Sequence, residues 1–236
     1  MSRTIIVGDV HGCVAELGRL LDGLALSASD RVIFVGDLLA RGPDSLGVLA
    51  LYRQVRGQSV LGNHESKLLD AHRARRDGTK RPRLSALHYP LLLRLDEADW
   101  ELLERLPLSL PMPEHGACVV HAGILPAHSL AAQDPWTLTH IRSIDPHGRA
   151  SPRFDLTPWA ASYSGAPHIV FGHNSRLGLQ LEPSATGLDT GCVYGGQLSA
   201  LVLGSGQPIP VDPSERRALI HQVGAAREYY RNRFSE

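Results

Sequence analysis

Five short apolar runs in this chain each end on residues able to bind a metal ion or move a proton. "TIIVGDVH" ends in Asp9 and His11, "VIFVGD" in Asp37, "SVLGNH" in Asn63 and His64, "CVVH" in His121 and "IVFGH" in His173. Each residue alone has a plainer reading. A Gly-Asp pair is commonly a turn, a histidine after a strand is commonly just hydrogen-bonded, and Asn63 suits an Asx-turn. Recurrence of one pattern at five strand ends argues for a shared task. Asp9 and His11 are two residues apart, so extended backbone points both side chains the same way. Gly8, Gly36, Gly62 and Gly172 each precede a candidate ligand and leave the backbone free to turn sharply beside an ion or phosphate.

Three histidines, two aspartates and an asparagine form a nitrogen and oxygen donor set without thiolate. Such a set suits Mn, Fe, Co or Zn rather than a cysteine-zinc site or Ca. Six ligands exceed what one ion that also holds water requires. Two divalent ions ~3.5–4 Å apart, sharing one carboxylate and a hydroxide, would use them all. On this reading Asp37 bridges, Asp9 and His11 serve the first ion, and Asn63, His121 and His173 serve the second.

The elements that must gather these residues are legible as alternating strands and helices. Ile5–Val7, Val32–Val35 and Ser59–Leu61 read as strands. Residues Val14–Leu24, Ser45–Arg53 and Glu65–Arg75 read as helices by apolar spacing, with Asp44 or Ser45 as an N-cap. Single helices between strands imply crossovers and a largely parallel sheet, whose strand ends line one ligand-binding edge. "ACVVHAG" and "HIVFGH" are further buried strands and "DEADWELLERL" is a short helix. "GLDTGCVYGGQLSALVLG" holds two candidate strands around Gly195-Gly196 in a hairpin-like arrangement. Residues 213–234 read as a C-terminal helix with Leu219, Val223 and Ala226 on one face. With no repeat or linker, 1–236 is expected to be a single domain.

Composition narrows the class. The 236 residues are 43% hydrophobic and 20% charged with zero formal net charge, so no global field recruits DNA or an anionic membrane. Cys13, Cys118 and Cys192 are too few and too scattered for a disulfide scaffold. There is no signal-peptide pattern and no apolar run near the ~18 residues of a membrane span. A cytoplasmic protein is expected, with no membrane or DNA partner.

"GDVHG", "GDLLARG", "GNHE", "HAG" and "GH", in that order, resemble the metallophosphoesterase core of the phosphoprotein phosphatase superfamily over about residues 5–200. "GDLLARGPDSL" and "LDTGCVYGG" are similar to motifs of the bacterial symmetrical bis(5'-nucleosyl)-tetraphosphatases and ApaH-like phosphatases. The resemblance implies an α/β (α+β) calcineurin-like fold, two mixed β-sheets sandwiched between helices. It implies a metal-activated hydroxide attacking phosphorus, two divalent ions with Mn2+ foremost, and His64 protonating the leaving oxygen. Arg41 would clamp phosphoryl oxygens and Arg142 of "THIRSID" would be a second clamp. Asp189 and Thr190 are expected to order a ligand histidine from outside. The expected reaction is hydrolysis of diadenosine tetraphosphate to two ADP. The alternatives are a protein phosphatase acting on phosphoserine, phosphothreonine or phosphotyrosine, and a polyphosphate or RNA-cap hydrolase. The expected partner is thus a small nucleotide polyphosphate, a phosphoprotein being the alternative.

The pattern departs from protein phosphatases at Ala40, where those enzymes usually carry the aspartate that partners the motif-three histidine. Without it His64 is a weaker acid, which suits a phosphoanhydride leaving group better than an alkoxide. A plainer possibility is that Glu65 takes the aspartate's place. The chain is also shorter between His121 and His173 than the tetraphosphatases are. His72–Arg83 carries Arg73, Arg75, Arg76, Lys80, Arg81 and Arg83 against Asp77. It could steer a polyanion or simply cap a helix end. Trp136, Trp159, Tyr163 and Tyr194 could stack on a base. Cys192 is not expected to be a nucleophile.

Overall fold

Period-two alternation along the strands sets the layers. In β1 (Arg3–Val7) Ile5 and Val7 face one side and Ile6 the other. After the helix α1 (Val14–Gly23), β2 (Arg31–Phe34) repeats this, with Val32 and Phe34 opposed to Ile33. The computed structural model describes residues 2–80, 82 and 84–231. It continues through α2 (Ser45–Gln54), β3 (Gln58–Ser59), α3 (Asn63–Arg76), α4 (Tyr89–Arg94) and α5 (Glu97–Glu104). Asp44 caps α2 by accepting from Gly47 N–H, and Asp96 and Asp99 form a reciprocal capping box on α5. Next come β4 (Ser109–Met112), β5 (Ala117–Val120), α6 (Pro135–His140), β6 (Ser143–Ile144), β7 (Ala150–Ser151) and β8 (Thr157–Pro158). The chain closes with β9 (His168–Phe171), β10 (Gln180–Glu182), β11 (Ala185–Gly187), β12 (Gln197–Gly204), α7 (Pro213–Arg217) and β13 (Ile220–Gly224).

Two mixed five-stranded sheets result, ordered β13-β12-β1-β2-β3 and β10-β11-β9-β5-β4, beside a small β7-β6-β8 sheet. β1, β2 and β3 are mutually parallel, as the crossovers demand, whereas β12 joins β1 antiparallel. β9 lies parallel to both β5 and β11. Ile6, Ile33, Val35 and Val60 meet Val119, Val170 and Leu201 between the large sheets. The other face of the first sheet packs on Leu17, Leu20, Val48, Leu49, Leu68 and Leu103 of the helices. The outer face of the second, Val120, Ile169 and Phe171, packs on Leu138, Ile141 and Trp159. Each such fully buried side chain contributes about 1.5–3 kcal/mol. This is the calcineurin-like arrangement of two mixed sheets flanked by helices.

Two expectations are corrected. The hairpin around Gly195-Gly196 does not form, because β11 and β12 belong to different large sheets. The C-terminal helix is confined to Pro213–Arg217, and Ile220–Gly224 is instead a strand pairing antiparallel with β12. Leu219, Val223 and Ala226 mimic helical spacing, but β12 has an edge whose backbone groups need partners. Residues 232–234 of that expected helix lie outside the described residues.

Candidate metal centre and active site

Parallel strands end along a common edge, so the ligands follow from the topology. Asp9 and His11 leave β1, Asp37 leaves β2, Asn63 and His64 open α3 after β3, and His121 and His173 follow β5 and β9. Backbone at this edge is bent into unfavourable conformations. His11, Asp37, Ala40, Arg41 and His173 have φ of 48°, 47°, 68°, 70° and 65°, each costing about 1–3 kcal/mol for an L-residue. Two glycines permit the close packing. A Cβ at Gly172 would collide with Asp9 Oδ1, and one at Gly62 with Asp37 Oδ1.

Asp37 sits at the centre. Its Oδ2 lies 3.5 Å from His11 Nε2 and 3.5 Å from His121 Nε2, and its Oδ1 accepts from His64 N–H at 3.0 Å. His11 Nε2 is 4.0 Å from Asp9 Oδ2. His121 Nε2 and His173 Nδ1 each lie 3.0 Å from Asn63 Oδ1. His11, Asp37 and His64 form one compact group and Asp37, His121 and His173 another, sharing Asp37.

Backbone carbonyls settle the direction of two rings. His11 Nδ1 meets Leu39 C=O at 3.1 Å and His121 Nδ1 meets Val35 C=O at 2.8 Å. Both must donate from Nδ1, which leaves Nε2 as a lone pair facing inward. At His121 that lone pair faces the carbonyl oxygen of Asn63, acceptor against acceptor. Two acceptors converge this way when both are directed at a cation. The donor set therefore fits two divalent ions, with Asp9, His11 and Asp37 able to hold one and Asp37, Asn63, His121 and His173 the other.

The charges point the same way. Burial, then Asp189 and Asp37, push the Asp9 carboxyl well above its usual range. Burial alone would also raise Asp37, but the surrounding His121, His64, His11 and Arg41 reverse this and hold it low. Burial lowers His11 to about 3 and drives His64 and His173 well down, so the rings of His11 and His173 are neutral lone-pair donors. Asp189 rises to about 6, chiefly through burial. Crowded carboxylates beside neutral imidazoles are an environment that a divalent cation relieves.

A cavity of about 350 Å³ opens over this edge, lined among others by Asp37, Arg41, Asn63, Arg142, His173, Asp189 and Tyr194. Both expected arginines thus reach it. Arg41 Nη1 lies 2.8 Å from His11 Nε2. Arg142 donates from Nη1 to Pro152 C=O, while its buried Nε has no hydrogen-bond partner. A larger cleft of about 920 Å³, bounded by Asp30, Arg31 and Gln58, lies where β2 begins, away from the strand ends that carry the ligands.

Other expectations fare differently. Asp189 follows β11 and lines the cavity, but its carboxylate accepts from Gly191 N–H. Thr190 binds Gln197 C=O and Ser199 Oγ. These bonds do not reach a candidate ligand histidine; the rings of His11 and His121 are held by the carbonyls of Leu39 and Val35. Glu65 does not replace the missing aspartate, because its carboxylate accepts from Asp37 N–H and Leu39 N–H. The basic stretch begins in the last turn of the 14-residue α3, about 15 Å along the axis from Asn63. There Arg73 and Arg76 pair with Glu104, which is the helix-end reading; Arg81 and Arg83 lie outside the described residues. Trp159 is buried, Tyr163 donates to Pro167 C=O, and Trp136 stacks on His140. Cys192 is buried too. Sequence reasoning missed His88, whose Nε2 is 3.0 Å from His64 Nδ1. No strand-end pattern marks it, since it precedes α4.

The fold and the two histidine–aspartate–histidine groups define a metal-dependent phosphoesterase. The chain belongs to the calcineurin-like phosphoesterase family, whose sequence model matches residues 2–178. It is 32% identical to an asymmetrical bis(5'-nucleosyl)-tetraphosphatase, PrpE, of Oceanobacillus iheyensis, over 83% of this chain and 86% of that protein. It is also 32% identical to a symmetrical bis(5'-nucleosyl)-tetraphosphatase of Janthinobacterium sp. strain Marseille, over 85% and 92%. A crystal structure provisionally described as a diadenosine tetraphosphatase superposes with a TM-score of 0.80 at 35% identity, covering 94% of this chain and 93% of that one. A protein serine/threonine phosphatase of Saccharomyces cerevisiae, at 16% identity and a TM-score of 0.55, shares the fold, covering 95% and 79%. Among the described residues no helix is long and apolar enough to cross a membrane.

Proposed function

We propose that this chain hydrolyses diadenosine tetraphosphate symmetrically to two ADP, using two divalent ions, with Mn2+ the one that the family resemblance puts foremost and Fe, Co or Zn equally matched to the donors. The observation that carries this reading is the single cavity that Asp37, Arg41 and Arg142 line together. Asp9, His11 and Asp37 would hold one ion and Asp37, Asn63, His121 and His173 the other. When bound, the ions supply an acidified water and polarise the phosphoryl group. Arg41 and Arg142 orient phosphoryl oxygens through guanidinium forks, the unpartnered Nε of Arg142 being available for this. His64 carries a proton to the departing oxygen. Ala40 leaves that histidine without a carboxylate, which favours an anhydride, whose phosphate leaving group needs little protonation, over a serine or threonine ester.

A second reading is asymmetrical cleavage to ATP and AMP, supported by the similarity to the Oceanobacillus protein. Purified protein with Mn2+ is offered diadenosine tetraphosphate, ATP, polyphosphate and a phosphopeptide in parallel, with products separated. ADP alone from the first supports the symmetrical reading. ATP plus AMP selects the second, and turnover of the phosphopeptide alone overturns both.

A further inference from the structure

The polar partner of His64 is not where the family pattern implies. The Ala40 side chain offers no polar atom, and both oxygens of Glu65 are committed to backbone N–H groups. Yet His64 Nδ1 is not left alone in the interior. His88 Nε2 lies 3.0 Å from it, and His88 Nδ1 lies 2.8 Å from Ser85 Oγ. His64 and His88 are 5% and 4% exposed, so water does not compete for these bonds. The two rings also stack, with centroids 4.8 Å apart and planes 27° from parallel. With Nδ1 taken, the other nitrogen of His64 is the one left for the group formed with His11 and Asp37.

We propose that His88 is the positioning residue for His64, a neutral imidazole standing where protein phosphatases use a carboxylate. This inference rests on the acid role of His64 proposed above. The proton directions follow from that role. His64 Nδ1–H donates to His88 Nε2, His88 Nδ1–H donates to Ser85 Oγ, and the proton that His64 delivers is the second one, on Nε2, whose departure leaves a neutral ring. His88 lies outside the strand-end motifs and comes from the segment leading into α4, which packs on α3. A carboxylate would fix the ring and also hold its proton electrostatically; an imidazole fixes the ring alone. The substitution thereby keeps the orientation and gives up acid strength, the compromise suited to leaving groups already stable as anions.

The test compares the manganese-loaded protein with His88→Ala, His88→Gln and His64→Ala on phenyl phosphate and 2,4-dinitrophenyl phosphate, whose leaving groups differ in their need for a proton. His88→Ala is expected to lower kcat on phenyl phosphate about 10- to 100-fold with little change in KM, and to spare the dinitrophenyl ester. His88→Gln, whose amide reaches the same position, restores kcat to within about threefold of the parent. In parallel, imidazole 15N NMR of metal-free protein should show neutral His64 fixed with Nδ1 protonated in the parent and averaged between tautomers in His88→Ala. An equal loss on both esters, no rescue by Gln, or an unchanged His64 tautomer overturns the inference. If His64→Ala itself loses equally on both esters, the acid role fails; if it is selective and His88→Ala is not, only the role of His88 fails.

Discussion

Arg41 sits between two tasks. Its Nη1 is 2.8 Å from the inward lone pair of His11, and its guanidinium lies 5.6 Å and 5.9 Å from the rings of Tyr194 and Tyr230. A guanidinium hydrogen-bonded to His11 Nε2 competes with any cation seeking the same lone pair. In the proposed role as a phosphate clamp, the side chain must therefore leave His11 as the ion engages, and the aromatic rings offer it a place to rest. Arg41→Ala is expected to lower kcat/KM about 10²- to 10³-fold, the scale for losing one preorganised donor. Manganese affinity measured calorimetrically should stay level or tighten, because a competitor has gone. Weaker manganese binding would show instead that the guanidinium supports the metal site. Residue types alone carried this far: the convergence of the six candidate ligands was legible because each follows an apolar run, whereas the contact of Arg41 with His11 depends on consecutive left-handed φ values at Ala40 and Arg41 that no local pattern announces.

Elements decide which of these residues meet. The parallel core was readable from single helices between strands, and with it the convergence of Asp9, Asp37, Asn63, His121 and His173. His88 was not, because its position comes from α4 packing on α3, a tertiary event. The end of the chain was misread for a related reason. Leu219, Val223 and Ala226 keep helical spacing, yet the unpaired edge of β12 claims Ile220–Gly224. Arg216 shows how the preceding α7 is fixed. Its fully buried guanidinium donates to Ala185 C=O, Thr186 Oγ1 and Val211 C=O and contacts His168 Nε2. This pins the last helix onto the second sheet while β13 extends the first. Arg216→Ala strands those acceptors and should cost about 2–4 kcal/mol, read from the urea midpoint, with kcat unchanged because the strand ends are untouched. Unaltered stability would remove this pin from the account of the C-terminal segment.

At the scale of the whole molecule, zero formal net charge conceals an interior crowded with acids. Glu65 is pushed up to about 8 by burial and then by Asp37, and Asp9 is raised by burial, Asp189 and Asp37. A carboxyl that keeps its proton longer in the folded state makes stability fall as pH rises from the unfolded value, near 4.5, through the folded one. The buried imidazoles act in the opposite sense. Lowered by burial, His11, His64, His121 and His173 withhold stability only as pH falls below about 6.5, where the unfolded chain takes up protons. Between about pH 7 and 8 the imidazoles have largely finished titrating, and the raised carboxyls set the slope. The metal-free protein should therefore melt several degrees lower at pH 8 than at pH 7, since about 1–2 kcal/mol is at stake. Glu65→Gln should remove much of that drop. Saturating manganese should remove it too, because divalent charge beside Asp37 favours the ionised form of every neighbouring carboxyl. Differential scanning calorimetry of parent and variant, with chelator and with manganese, reads all four cases. A metal-free melting temperature that climbs from pH 7 to 8 would mean that the interior acids are already ionised without a cation, and the electrostatic case for a metal at this edge would fall.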